Sequence, residues 1–217
     1  SCTNWRVGKS GMRASTRKNV AVMFPMISSI KEVRSAKKFL EEAKQQLKAK
    51  NILFDENIKV GVMVEVPSAA VIAEDLAQEV DFLSIGTNDL IQYSLAVDRL
   101  NEKIAHLYEP THPAILRLIK MTVDAAHRNG IWVGVCGEMA GDPLLVPLLL
   151  GLGVDELSAS PALVPQVKFL IRRLKLAEAK EHAEWALTCE SGAEILARSQ
   201  ALVRRVAPGL FEQENEA

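Results

Sequence analysis

Three short apolar runs in this 217-residue chain each end in side chains that can do chemistry. Val60-Gly61-Val62-Met63-Val64 leads into Glu65. Leu83-Ser84-Ile85 gives way to Gly86-Thr87-Asn88-Asp89. Trp132-Val133-Gly134-Val135 ends in Cys136-Gly137-Glu138. A carboxylate, a carboxylate with an amide, and a thiol therefore fall at the ends of three successive strands. In parallel α/β folds ligands bind at the carboxyl ends of the strands, so this is the layout of an active site.

Each group also has a plain alternative. Glu65 alternates with Val60, Val62 and Val64, so it points to their opposite face. It either tops out into solvent or is buried, and a buried carboxylate needs a cation, a donor or a metal. Asn88-Asp89 would serve equally as an ordinary helix N-cap. If Glu65 and Asp89 face one another, two hard oxygen ligands with open positions suit Mg²⁺ or Mn²⁺. Arg99 is expected to end the helix that Asp89 starts, and on spacing alone it pairs with Asp98 or Glu102. Cys136 reads either as a small buried apolar residue or as a thiol whose proton is used. None of the histidines at 106, 112, 127 and 182 has a nucleophile-like setting, and His127 reads as a helix-surface residue.

The elements that position these groups repeat as strand then helix. Residues 19–24 read as a buried strand. Ser29 and Glu32 form a capping box before the helical spacing Ile30, Val33, Ala36, Leu40, Ala43, Leu47. The next units are strand 59–65 with a helix opening at Pro67-Ser68, and strand 81–86 with helices after Asp89 and Pro113, the latter closed by Asn129-Gly130. Strand 131–136 precedes an apolar helix starting at Gly141-Asp142-Pro143, and strand 154–159 precedes a helix over 162–174. A charged, exposed helical segment over 177–206 completes the pattern. Five such units imply a parallel sheet with right-handed crossovers, either open or part of a barrel that needs eight strands.

Composition excludes several classes. Lys plus Arg total 26 against 27 for Asp plus Glu, a balance without the basic footprint of a nucleic-acid binder. The most apolar stretch, residues 143–152, is about half of a membrane span. Three cysteines, at 2, 136 and 189, lack metal-type spacing, which fits a reducing cytoplasm.

From about residue 13 to 200 the chain resembles the C-terminal domain of Enzyme I, the phosphoenolpyruvate–protein phosphotransferase of the bacterial sugar phosphotransferase system. The resemblance is carried by Met23-Phe24-Pro25-Met26-Ile27-Ser28, by Val62-Met63-Val64-Glu65-Val66-Pro67, by Ser84 to Gln92, by Val97-Asp98-Arg99, by Leu107-Tyr108-Glu109-Pro110, by Cys136 to Asp142 and by Asp155-Glu156-Leu157-Ser158. Pyruvate phosphate dikinase and phosphoenolpyruvate synthase share several of these motifs and are the alternative relatives. The Phe24-Pro25-Met26 run and the Asp98-Arg99 pair favour Enzyme I.

The resemblance implies a (β/α)₈ TIM-type barrel of the phosphoenolpyruvate/pyruvate group, here incomplete: about five strand–helix units over residues 13–206, with the first three strands missing. It implies Glu65 and Asp89 as Mg²⁺ ligands, and Asn88, Asp89 and Arg99 as phosphoenolpyruvate-binding residues, with the Gly86-Thr87 backbone close by. Cys136 is the implied acid that converts the enolate to pyruvate. The implied partners are a histidine phosphocarrier protein, reached through an N-terminal domain not seen here, and a second copy of the chain in a homodimer. The implied location is cytoplasmic, with no nucleic-acid or membrane partner. Residues 1–12 match nothing in the family, and residues 207–217 are expected to fray. The competing expectation is a catalytically incomplete remnant that acts by dimerisation or interaction.

Overall fold

The computed structural model describes residues 20–211. Its frame is one parallel sheet of five strands, β1 (Ala21–Phe24), β2 (Lys59–Val64), β3 (Phe82–Gly86), β4 (Trp132–Cys136) and β5 (Glu156–Ser158), hydrogen-bonded in chain order. Sequential order without a reversal means every crossover steps the same way. That is the winding found in TIM-type folds; a doubly wound sheet reverses at a switch point.

The register sorts the side chains into two faces. Val60, Val62, Val64, Leu83, Ile85, Val133 and Val135 form the face covered by helices. That buried face explains the near-continuous apolar runs. The other face is layered across the strands. Met23, Gly61, Phe82 and Trp132 share one rung, and Met63, Ser84, Gly134 and Glu156 the next. Phe82 lies over Gly61, where a Cβ would sit 2.3 Å from the ring, and stacks on Trp132 with centroids 4.5 Å apart. The rung above carries Gly86, Cys136 and Ser158, with Glu65 one step past the last paired residues, Val64 and Ile85.

The helices form where local chemistry starts and stops them. α1 (Ile30–Ala49) opens on the Ser29–Glu32 capping box and buries Val33, Ala36, Leu40, Ala43 and Leu47. α2 (Pro67–Val71) and the adjoining α3 (Ala73–Ala77) follow β2. α4 (Thr87–Leu95) begins directly at the end of β3. α5 (Pro113–Arg128) is capped by the His112 Nδ1, which accepts from the Ala114 N–H at 3.1 Å, and stops at Asn129 and Gly130. α6 (Val146–Leu152) and α7 (Val164–Ile171) flank β5. At the opposite end of the strands one device recurs: Asp81 and Asp155 accept from the backbone N–H of Val60 and Val133, each at 2.9 Å.

Five expectations need correction. Asn88 and Asp89 are inside the first turn of α4, whose cap is Gly86. Arg99 does not end that helix. It stops at Leu95, Ala96 turns left-handed at φ 53°, and Arg99 follows in the next turn. The apolar helix expected from Gly141 begins instead at Val146, after a short 3₁₀ turn over Glu138–Ala140. The single exposed helical segment is two helices, α8 (Leu176–Ala186) and α9 (Gly192–Val206), which bury Ala183, Ala186, Ile195 and Val203. Of the segment expected to fray, Ala207 is fully buried and Pro208–Leu210 forms a 3₁₀ turn. Its remainder, and residues 1–12, which were expected to match nothing, lie outside the described residues. None of the helices among the described residues is long and apolar enough to cross a membrane.

Candidate active site

Glu65 is only 3% exposed, although it lies just beyond the end of β2. Its Oε1 accepts the Met26 backbone N–H at 2.6 Å. Met26, in the loop after β1, holds φ at 55°, an uncommon conformation for a side-chain-bearing residue, and that turn aims the N–H at the carboxylate. On the other side Gly86 provides the room: a Cβ there would lie 2.8 Å from Glu65 Oε2. Burial raises the Glu65 pKa. The Met26 N–H opposes that rise, and the charge of Asp89 and a hydrogen bond with it add to it. The two carboxyl groups expected to face one another do so.

Asp89 in turn faces Arg99, with Oδ1 3.8 Å from Nη2. This corrects the pairing with Asp98 or Glu102 read from spacing, since Asp98 is occupied in its own turn by the Leu100 N–H at 2.9 Å. The Arg99 N–H reaches the Gln92 Oε1 at 3.3 Å, which ties the turn back to α4. Its Nη1 is buried with no acceptor. A buried guanidinium nitrogen without a partner is costly unless an anion completes it. Tyr108 borders the same space. Burial raises its phenol pKa, the Glu138 charge adds to that rise, and Arg99 opposes it.

Asn88 spans the gap between α4 and the end of β4. Its Oδ1 accepts the Glu138 N–H at 3.0 Å and its Nδ2 donates to Glu138 Oε1 at 3.4 Å. The close approach depends on Gly137, at φ 111°, where a Cβ would come within 2.6 Å of Thr87 Oγ1. Thr87 Oγ1 donates to the Cys136 carbonyl at 3.3 Å. The Cys136 thiol is half-buried. It points toward the Ile85 carbonyl at 3.6 Å and receives the Ser84 hydroxyl at 3.5 Å.

The fold thus brings Glu65, Asp89 and Arg99 into one chain of contacts, and Asn88 and Cys136 to the same edge one strand further on. Sequence reasoning gave no role to Ser84, Tyr108, Glu138 or the Met26 amide. Ser84, Tyr108 and Glu138 stand inside the motifs quoted above, so the signal was present, but only their three-dimensional neighbours distinguish them. His127 is on the surface as expected, with Nε2 2.9 Å from Asp155 Oδ2.

A buried carboxyl facing a second one, with one lone-pair direction taken by a single N–H, fits a divalent cation, which would relieve the repulsion. Among the described residues no group of three or more His, Cys, Asp or Glu side chains gathers, so such an ion would draw its other oxygens from water and substrate. That partial ligation suits Mg²⁺.

Sequence comparison places this architecture in a family. Residues 8–176 match the description "PEP-utilising enzyme, PEP-binding domain", and the chain belongs to that family. The phosphoenolpyruvate-protein phosphotransferase of Haemophilus influenzae is 55% identical over 184 residues, covering 85% of this chain and 32% of that enzyme. The enzyme of the same name from Bacillus subtilis is 49% identical over 186 residues. The chain therefore spans about a third of the length of the curated relatives it matches. A citrate lyase structure from Burkholderia xenovorans superposes with a TM-score of 0.51 at 16% identity, over 95% of this chain and 70% of that one, which supports the fold alone.

Proposed function

We propose that this chain is the phosphoenolpyruvate-binding part of a phosphoenolpyruvate–protein phosphotransferase, and that its five strands are the later portion of an eight-stranded barrel. The observation that carries the reading is the contact chain Glu65–Asp89–Arg99, which ends in a buried guanidinium nitrogen without a partner at the carboxyl ends of β2 and β3. Glu65 and Asp89 would hold Mg²⁺, which when bound supplies charge neutralisation to the phosphoryl group. Arg99 Nη1 takes a phosphoryl or carboxylate oxygen of the substrate. The first-turn amides of α4 favour the same anion. Asn88 keeps α4 against the end of β4 and borders the substrate from that side.

Phosphoryl transfer requires charge neutralisation and in-line positioning rather than covalent work by these residues. The acceptor is a histidine on a separate domain, which in turn supplies a histidine phosphocarrier protein. When the phosphoryl group departs, pyruvate is left as its enolate. Cys136 then gives its thiol proton to the methylene carbon and the ketone re-forms. The barrel reading is supported by the sequential strand order and by the chain's matching only a third of its relatives. The test is Cys136→Ala, assayed with a histidine-bearing domain in trans. Binding of Mg²⁺-phosphoenolpyruvate should be unchanged and pyruvate formation lost, whereas undiminished turnover would remove Cys136 as the acid.

A further inference from the structure

Cys136 is not left to find its own orientation. Ser84 stands on the adjacent strand, on the same face and one rung lower, opposite Gly134 and Met63. It is 8% exposed, yet its hydroxyl is not turned to the backbone of its own strand. It donates to the Cys136 Sγ at 3.5 Å. The thiol proton itself points to the Ile85 carbonyl at 3.6 Å, while Thr87 Oγ1 pins the Cys136 carbonyl.

We propose that Ser84 is a positioning residue for Cys136: its hydroxyl fixes the thiol and stabilises the sulfur once the proton has gone. The inference rests on the reading of Cys136 as the enolate acid. In that step the S–H bond breaks and its proton forms a C–H bond at the enolate methylene carbon, using the enolate's electron pair. The sulfur keeps the S–H pair as a thiolate. A hydroxyl already aimed at the sulfur then makes a charge-assisted hydrogen bond, which is shorter and stronger than the neutral one. A water proton restores the thiol for the next turnover. Only a donor can do this, so the hydroxyl matters and the shape of the side chain does not.

The test does not depend on substrate binding, so it separates this proposal from the functional reading. Iodoacetamide is applied to the full chain at neutral pH, and modification of the Cys136 peptide is followed by mass spectrometry. The thiolate is the reacting species, so losing a donor to it slows alkylation. Ser84→Ala and Ser84→Val should each slow it roughly three- to tenfold, the lost hydrogen bond being partly offset by higher intrinsic nucleophilicity. Ser84→Thr, which matches valine in shape but keeps the hydroxyl, should stay close to the wild-type rate. Equal rates for the threonine and valine variants would overturn the proposal. So would an alanine variant, folded by circular dichroism, that reacts like wild type. If Cys136→Ala proves fully active in turnover while the alkylation pattern holds, the acid assignment fails and the hydroxyl–thiol coupling stands.

Discussion

Gly86 and Glu65 face each other across β2 and β3 at a distance that only glycine permits: a Cβ on Gly86 would lie 2.8 Å from Glu65 Oε2 and 2.9 Å from its Cβ. The glycine of the strand end thus lets a carboxylate fold inward over the sheet, where burial and Asp89 both oppose its charge. A carboxylate held this way is under electrostatic tension.

Glu65→Gln should therefore stabilise the metal-free protein. The amide oxygen still accepts the Met26 N–H, and the repulsion from Asp89 disappears. The linkage has a definite sign. The Glu65 pKa is raised on folding, so the native state holds its proton more tightly, and the side chain's cost appears as pH rises through that window. At neutral pH the variant should gain about 1 kcal/mol, or ~2–4 °C in Tm, measured by thermal unfolding in EDTA. A lower Tm would mean the carboxylate is satisfied without a metal.

Gly137 and Gly130 both hold positive φ, but only one is crowded. A Cβ at Gly137 meets Thr87 and Asn88, while at Gly130 nothing lies within 4 Å. Gly130→Ala should cost only the backbone term, about 1 kcal/mol. Gly137→Ala should cost roughly 2–4 kcal/mol, because it also drives α4 away from β4. Urea denaturation midpoints compare the two directly, and equal losses would contradict the close packing of α4 on the end of β4.

His182 is buried between α8 and α9, with Nε2 2.7 Å from Ser199 Oγ and Nδ1 unpartnered. Burial, aided by the charge of Arg198, lowers its pKa from 6.5 to about 4. The unfolded chain therefore binds the proton more readily, and stability falls as pH drops from about 6.5 toward 4. At pH 5 the loss from this group is about 2 kcal/mol. His182→Gln should lose less stability than wild type between pH 7 and pH 5, read by denaturant titration. An identical pH dependence would show that His182 is not buried neutral.

Much of this arrangement was legible before any coordinates. The five strands follow from β-runs punctuated by Gly and Pro, and the Ser29–Glu32 box and the Asn129-Gly130 stop were placed correctly because their signals are local. Arg99 was misassigned because its partner, Asp89, is ten residues away across a turn set by the left-handed Ala96, which no helical spacing reports. The break between α8 and α9 did carry a signal, Ser191 followed by Glu194, and the Ser191 hydroxyl does cap α9. Burial of those helices was readable too, from Ala179, His182, Ala183 and Ala186 at helical spacing. The role of Ser84 was not readable, because a serine in an apolar strand gains meaning only from the thiol on the next strand.

On the proposed function, Glu65, Asp89 and Arg99 assemble a metal-dependent site for phosphoenolpyruvate. The most direct measurement is a calorimetric titration of phosphoenolpyruvate into the folded chain with Mg²⁺, with EDTA, and with Asp89→Ala in Mg²⁺. Binding that needs Mg²⁺ and vanishes in the variant is the expected result. No binding by the folded wild-type chain, or binding untouched by EDTA or by the loss of Asp89, would contradict it.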